Sequence, residues 1–374
     1  RRVLFRSKNL NISASQLEKF NLCRFSYFCN YGLNVRERQR AEINPMQYGT
    51  IVHYILERFF GEYTKEEYLS LEEDKFQKIV CAYLAEYAVK YFGEEQLESN
   101  SFTYRLKTIL DNVMYLMKHI MEELSQSEFF VADCELKIGE DIPSYTIVLP
   151  DGHKIAVCGS VDRVDIMQRA DITYLRIIDY KTGTKQFKLS DILYGINLQM
   201  LLYLHSIEAS GGDKYGEIVP AGILYMPATV PYISSDSLKS IDKLPDELNK
   251  KLKMNGLLLK DTEIIHGMDK TDVATYIPVK IKAGEPVSST SLATLAEFGK
   301  IFKKVDMLIA EMGKNIYNGN IEAKPLKGGH DSCEYCPYDS VCAYRQSNPI
   351  TCFSVDNKTV IEKITNEING KEEE

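Results

Sequence analysis

Leu175-Arg176-Ile177-Ile178-Asp179-Tyr180-Lys181-Thr182-Gly183 is an apolar run that ends in charge. Thr173 to Tyr180 reads as a strand, with Leu175, Ile177 and Ile178 as its apolar residues. Side chains alternate along a strand, so Asp179 and Lys181 leave the same face. A carboxylate and an ammonium at the end of an apolar strand are not needed for packing. Upstream, Gly159-Ser160-Val161-Asp162-Arg163-Val164-Asp165 puts Asp162 on an adjacent predicted strand, within approach of Asp179. Two converging carboxylates repel unless a cation lies between them, and hard oxygen ligands select Mg²⁺ or Mn²⁺. Such an ion activates water and stabilises charge on a phosphodiester, while Lys181 orients the nucleophile or stabilises the developing anion. Taken alone, the same residues also read as surface ion pairs on exposed strand ends, Asp179 with Lys181 and Asp162 with Arg163.

Around this motif the pattern is that of an α/β core over 128–226. Phe129 to Ile138, Tyr145 to Leu149 and Lys154 to Met167 alternate as strands, with Asp151-Gly152 as a hairpin turn. A helix from about Ser190 to Ser206 and a strand from Ile218 to Met226 follow. The preceding part, 11–127, reads as helical. Ser13 and Gln16 stand at capping-box spacing, Gly49 to Phe60 forms a short helix, and Thr64 to Phe92 and Phe102 to Leu124 form two long ones. Residues 227–289 hold five of the twelve Pro and read as a long insertion with a helix near Leu244 to Met254. A final helix from about Ser291 to Tyr317 leads into a Cys-rich region ending at 345. Residues 1–10 read as a linker and 346–374 as a tail, frayed at Lys371-Glu372-Glu373-Glu374.

Bulk properties exclude some classes. With 374 residues, 44% hydrophobic and 26% charged, the chain can bury a large core and is not low-complexity. A net charge of −8 argues against coating nucleic acid by bulk electrostatics, though not against a local basic groove. No apolar stretch is long enough to span a bilayer, and no secretion signal is present, so a cytoplasmic protein without membrane contact is expected. The chain does not begin with Met and reads as a piece of something longer. No Gly-x₄-Gly-Lys-Ser/Thr loop occurs, so ATP hydrolysis is not expected of it.

Two further pairs join the central motif. His53 lies on the Gly49–Phe60 helix with Glu57 one turn on, and Gln199 and Tyr203 stand at i, i+4 on the helix after the Asp-x-Lys strand. Either pair alone is an ordinary helix face. In order, Gly49-Thr50-Ile51-Val52-His53-Tyr54-Ile55-Leu56-Glu57, then Gly159 to Asp165, then Asp179-Tyr180-Lys181, then Gln199-Met200-Leu201-Leu202-Tyr203 resembles the RecB-like branch of the PD-(D/E)XK nucleases. The resemblance implies a restriction-endonuclease-like mixed sheet flanked by helices. It implies that His53, Asp162, Asp179 and the main-chain carbonyl of Tyr180 ligate the metal, and that Lys181 is the catalytic lysine. Gln199 and Tyr203 would line the site and contact DNA or support the lysine. Glu57 would stand behind the ligands, and Glu135 is a weaker candidate of that kind.

Nine Cys is an odd count, and the placement is informative. Cys81, Cys134 and Cys158 sit singly in apolar contexts and read as small buried hydrophobes. Cys333-x₂-Cys336-x₅-Cys342 offers three thiolates within ten residues, and Cys23, after the first helix, is the best fourth. A structural zinc site and three unconnected thiols are the alternatives that the residues leave open. The arrangement, together with Ser15-Gln16-Leu17-Glu18-Lys19-Phe20, Tyr31-Gly32-Leu33 and the Leu175–Gly183 run, is similar to the AddB-type nuclease domain of bacterial helicase–nucleases. That resemblance implies a [4Fe-4S] cluster on Cys23, Cys333, Cys336 and Cys342, a structural clasp across about 310 positions of sequence. Cys29 and Cys352 lie near it and are not expected to bind. It also implies a DNA exonuclease acting on single-stranded ends, with an AddA-type helicase–nuclease subunit as partner in double-strand-break repair. An inactive iron–sulfur DNA-binding scaffold and an iron–sulfur exonuclease of CRISPR adaptation are the competing functions.

Overall fold

The computed structural model describes residues 9–35, 45–93, 99–183, 186–231, 244–271, 273–288, 290–344 and 349–372. β1 (Asn9–Ile12) runs into Ser13, whose hydroxyl accepts from the Gln16 N–H while Gln16 Oε1 accepts from the Ser13 N–H. This reciprocal cap starts α1 (Ala14–Leu22), which stops at Cys23; α2 (Arg24–Tyr27) and one π turn over Phe28–Gly32 follow. α3 (Pro45–Glu62) buries Ile51, Ile55, Leu56 and Phe59, the apolar stripe that its spacing predicts. The single helix expected from Thr64 to Phe92 is two, α4 (Lys65–Leu69) and α5 (Glu73–Phe92). The break lets Tyr68 and Phe76 both reach the Phe59 ring, at 6.1 and 5.6 Å between centroids. Tertiary packing outweighs local helix preference there. α6 (Asn100–Gln126) packs on α3, α4 and α5 and completes the helical part.

Six strands form the main sheet: β2 (Phe130–Ile138), β5 (Gly159–Arg169), β6 (Ile172–Lys181), β7 (Glu217–Pro227), β8 (Asn255–Leu259) and β11 (Leu292–Ala293). Their order is β11-β8-β7-β6-β5-β2. β6–β7 and β8–β11 are parallel and the other pairs antiparallel, so the sheet is mixed. Parallel neighbours need a crossover, and α7 (Gln199–Ser210), buried from Met200 to Ile207, supplies it between β6 and β7, followed by the one-turn α8 (Gly212–Tyr215). This is a restriction-endonuclease-like α/β fold. The helix expected from Ser190 begins instead as a 3₁₀ turn over Leu189–Tyr194. Left-handed Gly195 (φ 68°) ends that turn before α7 starts.

The run Lys154–Met167 is two strands in two sheets. β3 (Thr146–Val148) and β4 (Lys154–Val157) flank the Asp151-Gly152 turn and form a small sheet with β1. At Cys158, whose N–H donates to the Ile12 carbonyl at 2.8 Å, the chain leaves that sheet and enters the main one as β5. Residues 227–289, expected as an insertion, are partly core. α9 (Leu244–Leu252) delivers the chain to β8, whose Gly256, Leu257 and Leu258 pair with Leu224, Ile223 and Gly222 of β7. α10 (Thr262–Met268) and the hairpin of β9 (Lys280–Lys282) with β10 (Glu285–Val287) follow. Sealed β8 residues with little alternation, among Pro and Gly, hide a strand from periodicity.

α11 (Leu295–Tyr317) crosses beside α7, and β12 (Leu326–Gly328) pairs in parallel with β13 (Ile350–Cys352) across the Cys-rich loop. The tail expected over 346–374 contains a helix, α12 (Asn357–Glu372), that buries Val360 and Ile364 against the core. Lys304 of α11 also bonds Glu367 of α12. Cys81, Cys134 and Cys158 are half-buried, where sealed positions were expected. Among the described residues no helix is long and apolar enough to cross a membrane.

Candidate active site

β5 and β6 pair from Arg169/Ile172 as far as Arg163/Ile178 and then part. Beyond that point β5 continues beside β2 and β6 beside β7, down to Lys181 opposite Pro227. Asp162 and Asp179 are the first residues past the split. The gap is held open by a side chain, because Asp162 Oδ2 accepts the Tyr180 backbone N–H at 3.0 Å. Asp179 is almost fully buried, and Lys181 Nζ sits 2.6 Å from its Oδ2. The alternation that predicts a shared face for Asp179 and Lys181 is therefore realised as a direct ion pair.

α3 brings His53 to the same place. Its Nε2 lies 3.6 Å from Asp162 Oδ2, and its Nδ1 lies 2.7 Å from Glu135 Oε1. His53, Glu135 and Asp162 each offer an atom within 4.8 Å of the others, a spacing that suits one metal ion. Both Glu135 oxygens are engaged, one by His53 and the other by Ser160 Oγ at 2.9 Å. Glu135 therefore acts as a carboxylate behind the imidazole, fixing its tautomer so that Nε2 faces Asp162, as second carboxylates do at metal-binding histidines. It reaches this position through a left-handed backbone (φ 51°), uncommon for a residue with a side chain. Its neighbours Cys134 and Leu136 pair normally with Arg163 and Val161, so Glu135 turns alone toward the site. Strain of this kind concentrates where a side chain must be re-aimed.

Electrostatics point the same way. Burial, and then the Asp179 charge, push the Asp162 carboxyl up to about 7. Burial lowers the His53 imidazole, but the Glu135 hydrogen bond and the Asp162 charge outweigh it and raise it. Burial raises the Glu135 carboxyl, and the His53 bond more than compensates and lowers it. Carboxylates held in this state are stabilised by a cation placed among them. Above them opens a groove of about 1160 Å³ whose walls include His53, Glu135, Tyr180 and Lys181.

Of the remaining expected residues, Tyr203 and Gln199 lie off the groove and Glu57 on its wall. Tyr203 is buried behind β5, with its hydroxyl packed where a Gly159 Cβ would come to 2.2 Å. It supports the start of the strand that carries Asp162 and does not wall the groove. Gln199 is half-buried at the start of α7, where its N–H and that of Leu198 donate to Glu18 Oε1. It does not wall the groove either. Glu57 is exposed at the groove wall, and Glu135 takes the position behind the imidazole.

A second site joins parts of the chain that are far apart in sequence: Cys23, Cys333, Cys336 and Cys342 line one cavity of about 120 Å³. Burial raises the Cys23 thiol, while the backbone N–H groups of Ser26 and Phe25 lower it by hydrogen bonding to the sulfur. Tyr338, inside the loop, donates to the Val35 carbonyl at 2.8 Å and so docks the loop on the N-terminal part. Cys352 packs in a separate apolar cluster with Ile196 and Leu326. Cys29 is buried near the four thiols but is not among the residues lining the cavity.

Comparison with known proteins agrees with this geometry. A family profile described as the PD-(D/E)XK nuclease superfamily matches residues 11–343. The chain is similar to a protein of Thermoanaerobacter sp. (strain X514) named as a subunit of an ATP-dependent helicase/deoxyribonuclease, at 35% identity over 90% of this chain and 30% of that protein. Proteins of the same name from Alkaliphilus oremlandii and Clostridium kluyveri are 33% and 34% identical over 95% and 98% of this chain and 32% and 33% of theirs. The chain thus spans about a third of the length of these relatives. With the profile covering nearly all of it and the Asp162–Asp179–Lys181 cluster at the parting of two strands, the chain belongs to the PD-(D/E)XK nuclease superfamily.

Proposed function

We propose that the chain is a divalent-metal-dependent deoxyribonuclease that hydrolyses the phosphodiester backbone of single-stranded DNA ends. It would do so as the nuclease part of an AddAB-type helicase–nuclease, beside an AddA-type subunit, in break repair and recombination. The observation that carries this reading is the convergence of His53 Nε2 and Asp162 Oδ2, 3.6 Å apart, next to the Asp179–Lys181 pair in an open groove. The names of the similar proteins support the substrate and the partner.

The donors fit a hard divalent ion: one imidazole and two buried carboxylates, one of them pushed to about 7 by burial and then by the charge of the other. His53, Asp162, Asp179 and the Tyr180 carbonyl would hold Mg²⁺ or Mn²⁺. When bound, such an ion polarises a phosphoryl oxygen and makes water more acidic. The protein's own groups do the rest. Glu135 holds the imidazole in one tautomer, and the Tyr180 N–H holds the Asp162 carboxylate in place. Lys181, only partly exposed and steered by Asp179, presents a positive charge to the negative charge that grows on the scissile phosphate.

The four lining thiols fit an iron–sulfur cluster, which takes four Cys thiolates. Bound there, a cluster would tie α1–α2 to the C-terminal loop and act as a structural clasp.

The test is cleavage of single-stranded DNA with and without Mg²⁺, beside Lys181→Ala with its fold checked by circular dichroism. Loss of cleavage without Mg²⁺ and in the variant is expected; unchanged cleavage in a folded Lys181→Ala protein would overturn the proposal. Anaerobic purification should give a brown protein carrying about four irons per chain; stoichiometric zinc instead would refute the cluster.

A further inference from the structure

The groove holds a feature that phosphodiester chemistry does not use. Tyr54, next to His53 on α3, stands 5.2 Å from Tyr87 of α5, and Tyr87 stands 4.4 Å from Tyr91 one turn on (ring centroids). All three rings line the groove that contains His53 and Lys181. Tyr87 is buried and serves packing, but Tyr91 is 55% exposed. The Tyr91 ring rests on Tyr87 at an angle of 35°, so its orientation is fixed while much of its surface meets solvent. Lys90 Nζ lies 5.1 Å from the same ring, which places a cation beside it. An exposed, oriented aromatic ring with a neighbouring cation, in a row leading to a phosphodiester-cleaving centre, suits one kind of ligand. Bases of an unpaired strand stack on aromatic rings whatever their sequence, whereas bases in a duplex are already stacked and turned inward.

We propose that Tyr54, Tyr87 and Tyr91 form a base-stacking platform that receives an unpaired DNA strand and leads its backbone toward the His53–Asp162–Asp179 centre. This rests on the nuclease reading of that centre and adds the surface that makes the substrate single-stranded. Tyr91 supplies the exposed stacking face, Tyr87 its support, and Tyr54 the end nearest the metal donors. Lys90 swings from the ring to a phosphate when a base occupies it.

The experiment is fluorescence-anisotropy binding in EDTA, on the Lys181→Ala chain, so that no strand is cut. Three probes of about 12 nucleotides are compared: oligo-dT, an abasic strand with the same number of phosphates, and a blunt duplex. The abasic strand keeps the charge and removes the bases. With Tyr91→Ala added, oligo-dT affinity should fall about five-fold or more, the effect of losing one stacked base, and the weaker binding of the abasic strand should not change. Tyr91→Phe, which keeps the ring, should bind oligo-dT like the parent. Equal affinity for oligo-dT and the abasic strand, or an unchanged oligo-dT affinity in Tyr91→Ala, would overturn the platform. Binding of none of the three probes, by a folded protein, would count against the nuclease reading itself.

Discussion

Two charged clusters sit on the same pair of strands, and they are built on opposite terms. Arg163 and Asp165 of β5, Arg176 of β6 and Glu123 of α6 are all fully sealed from solvent. Arg163 Nη2 bonds Asp165 Oδ2 at 2.8 Å and Glu123 Oε2 at 3.2 Å, and Arg176 Nη2 bonds Glu123 Oε1 at 2.6 Å. Two guanidiniums balance two carboxylates, and the Asp165 carboxyl is lowered because the arginines outweigh its burial. One residue before Arg163, Asp162 belongs to a group with three carboxylates, one lysine and one imidazole. There the carboxyl is raised to about 7. The first cluster is wholly sealed and the second opens on the groove, with Asp179 buried and His53, Glu135 and Lys181 partly exposed; their charge balance differs as well. The balanced cluster is finished as it stands and serves the fold, whereas the unbalanced one lacks positive charge. Tyr180 joins them, its hydroxyl taking a bond from Arg163 and its N–H giving one to Asp162.

Breaking the balanced cluster should have the larger effect on the fold. Glu123→Ala leaves two buried arginines short of a partner and should cost about 3–5 kcal/mol of stability, read as the midpoint of urea unfolding. In the other cluster Lys181→Ala should slow cleavage about 10²–10³-fold and lower the unfolding midpoint less than Glu123→Ala does, because Lys181 is partly exposed. Asp162→Asn should do what no substitution in the balanced cluster does. Without added metal it should raise stability, on the order of 1 kcal/mol above pH 7, by removing a repelled carboxylate, while abolishing cleavage.

A third pair gives an intermediate case. His205 Nε2 lies 3.0 Å from Asp306 Oδ1. Burial lowers this imidazole, but the bonds to Asp306 and Glu208 outweigh it and raise it to about 9. A raised histidine contributes stability in full below its unfolded value of about 6.5, and that contribution fades as pH rises through about 9. The stability gap between the wild type and His205→Gln should therefore shrink across that window, by on the order of 1 kcal/mol. A gap independent of pH would show that the pair is not ionised.

The contrast also explains what the sequence revealed. Asp179 and Lys181 were legible because a two-residue period survives folding, and the Ser13–Gln16 cap because it is local. The Asp151-Gly152 turn was legible for the same reason, with Gly152 at φ 82°. Glu135 was under-read because one left-handed residue breaks the alternation that ranks strand side chains. Tyr203 and Gln199 lie off the groove wall; an i, i+4 pair does not say which helix face meets the groove. Tyr203 fills the space that Gly159 leaves. β8 and α12 were missed because a sealed strand and a charge-rich helix show their roles only against their neighbours.

A calorimetric titration of Mn²⁺ into the metal-free chain without DNA, wild type beside Asp162→Asn, probes this cluster directly. Saturable binding to the wild type, and its loss in a folded Asp162→Asn protein, are expected. Equal binding by the two proteins, or none by the wild type, would contradict the claim that this cluster is built around a missing positive charge.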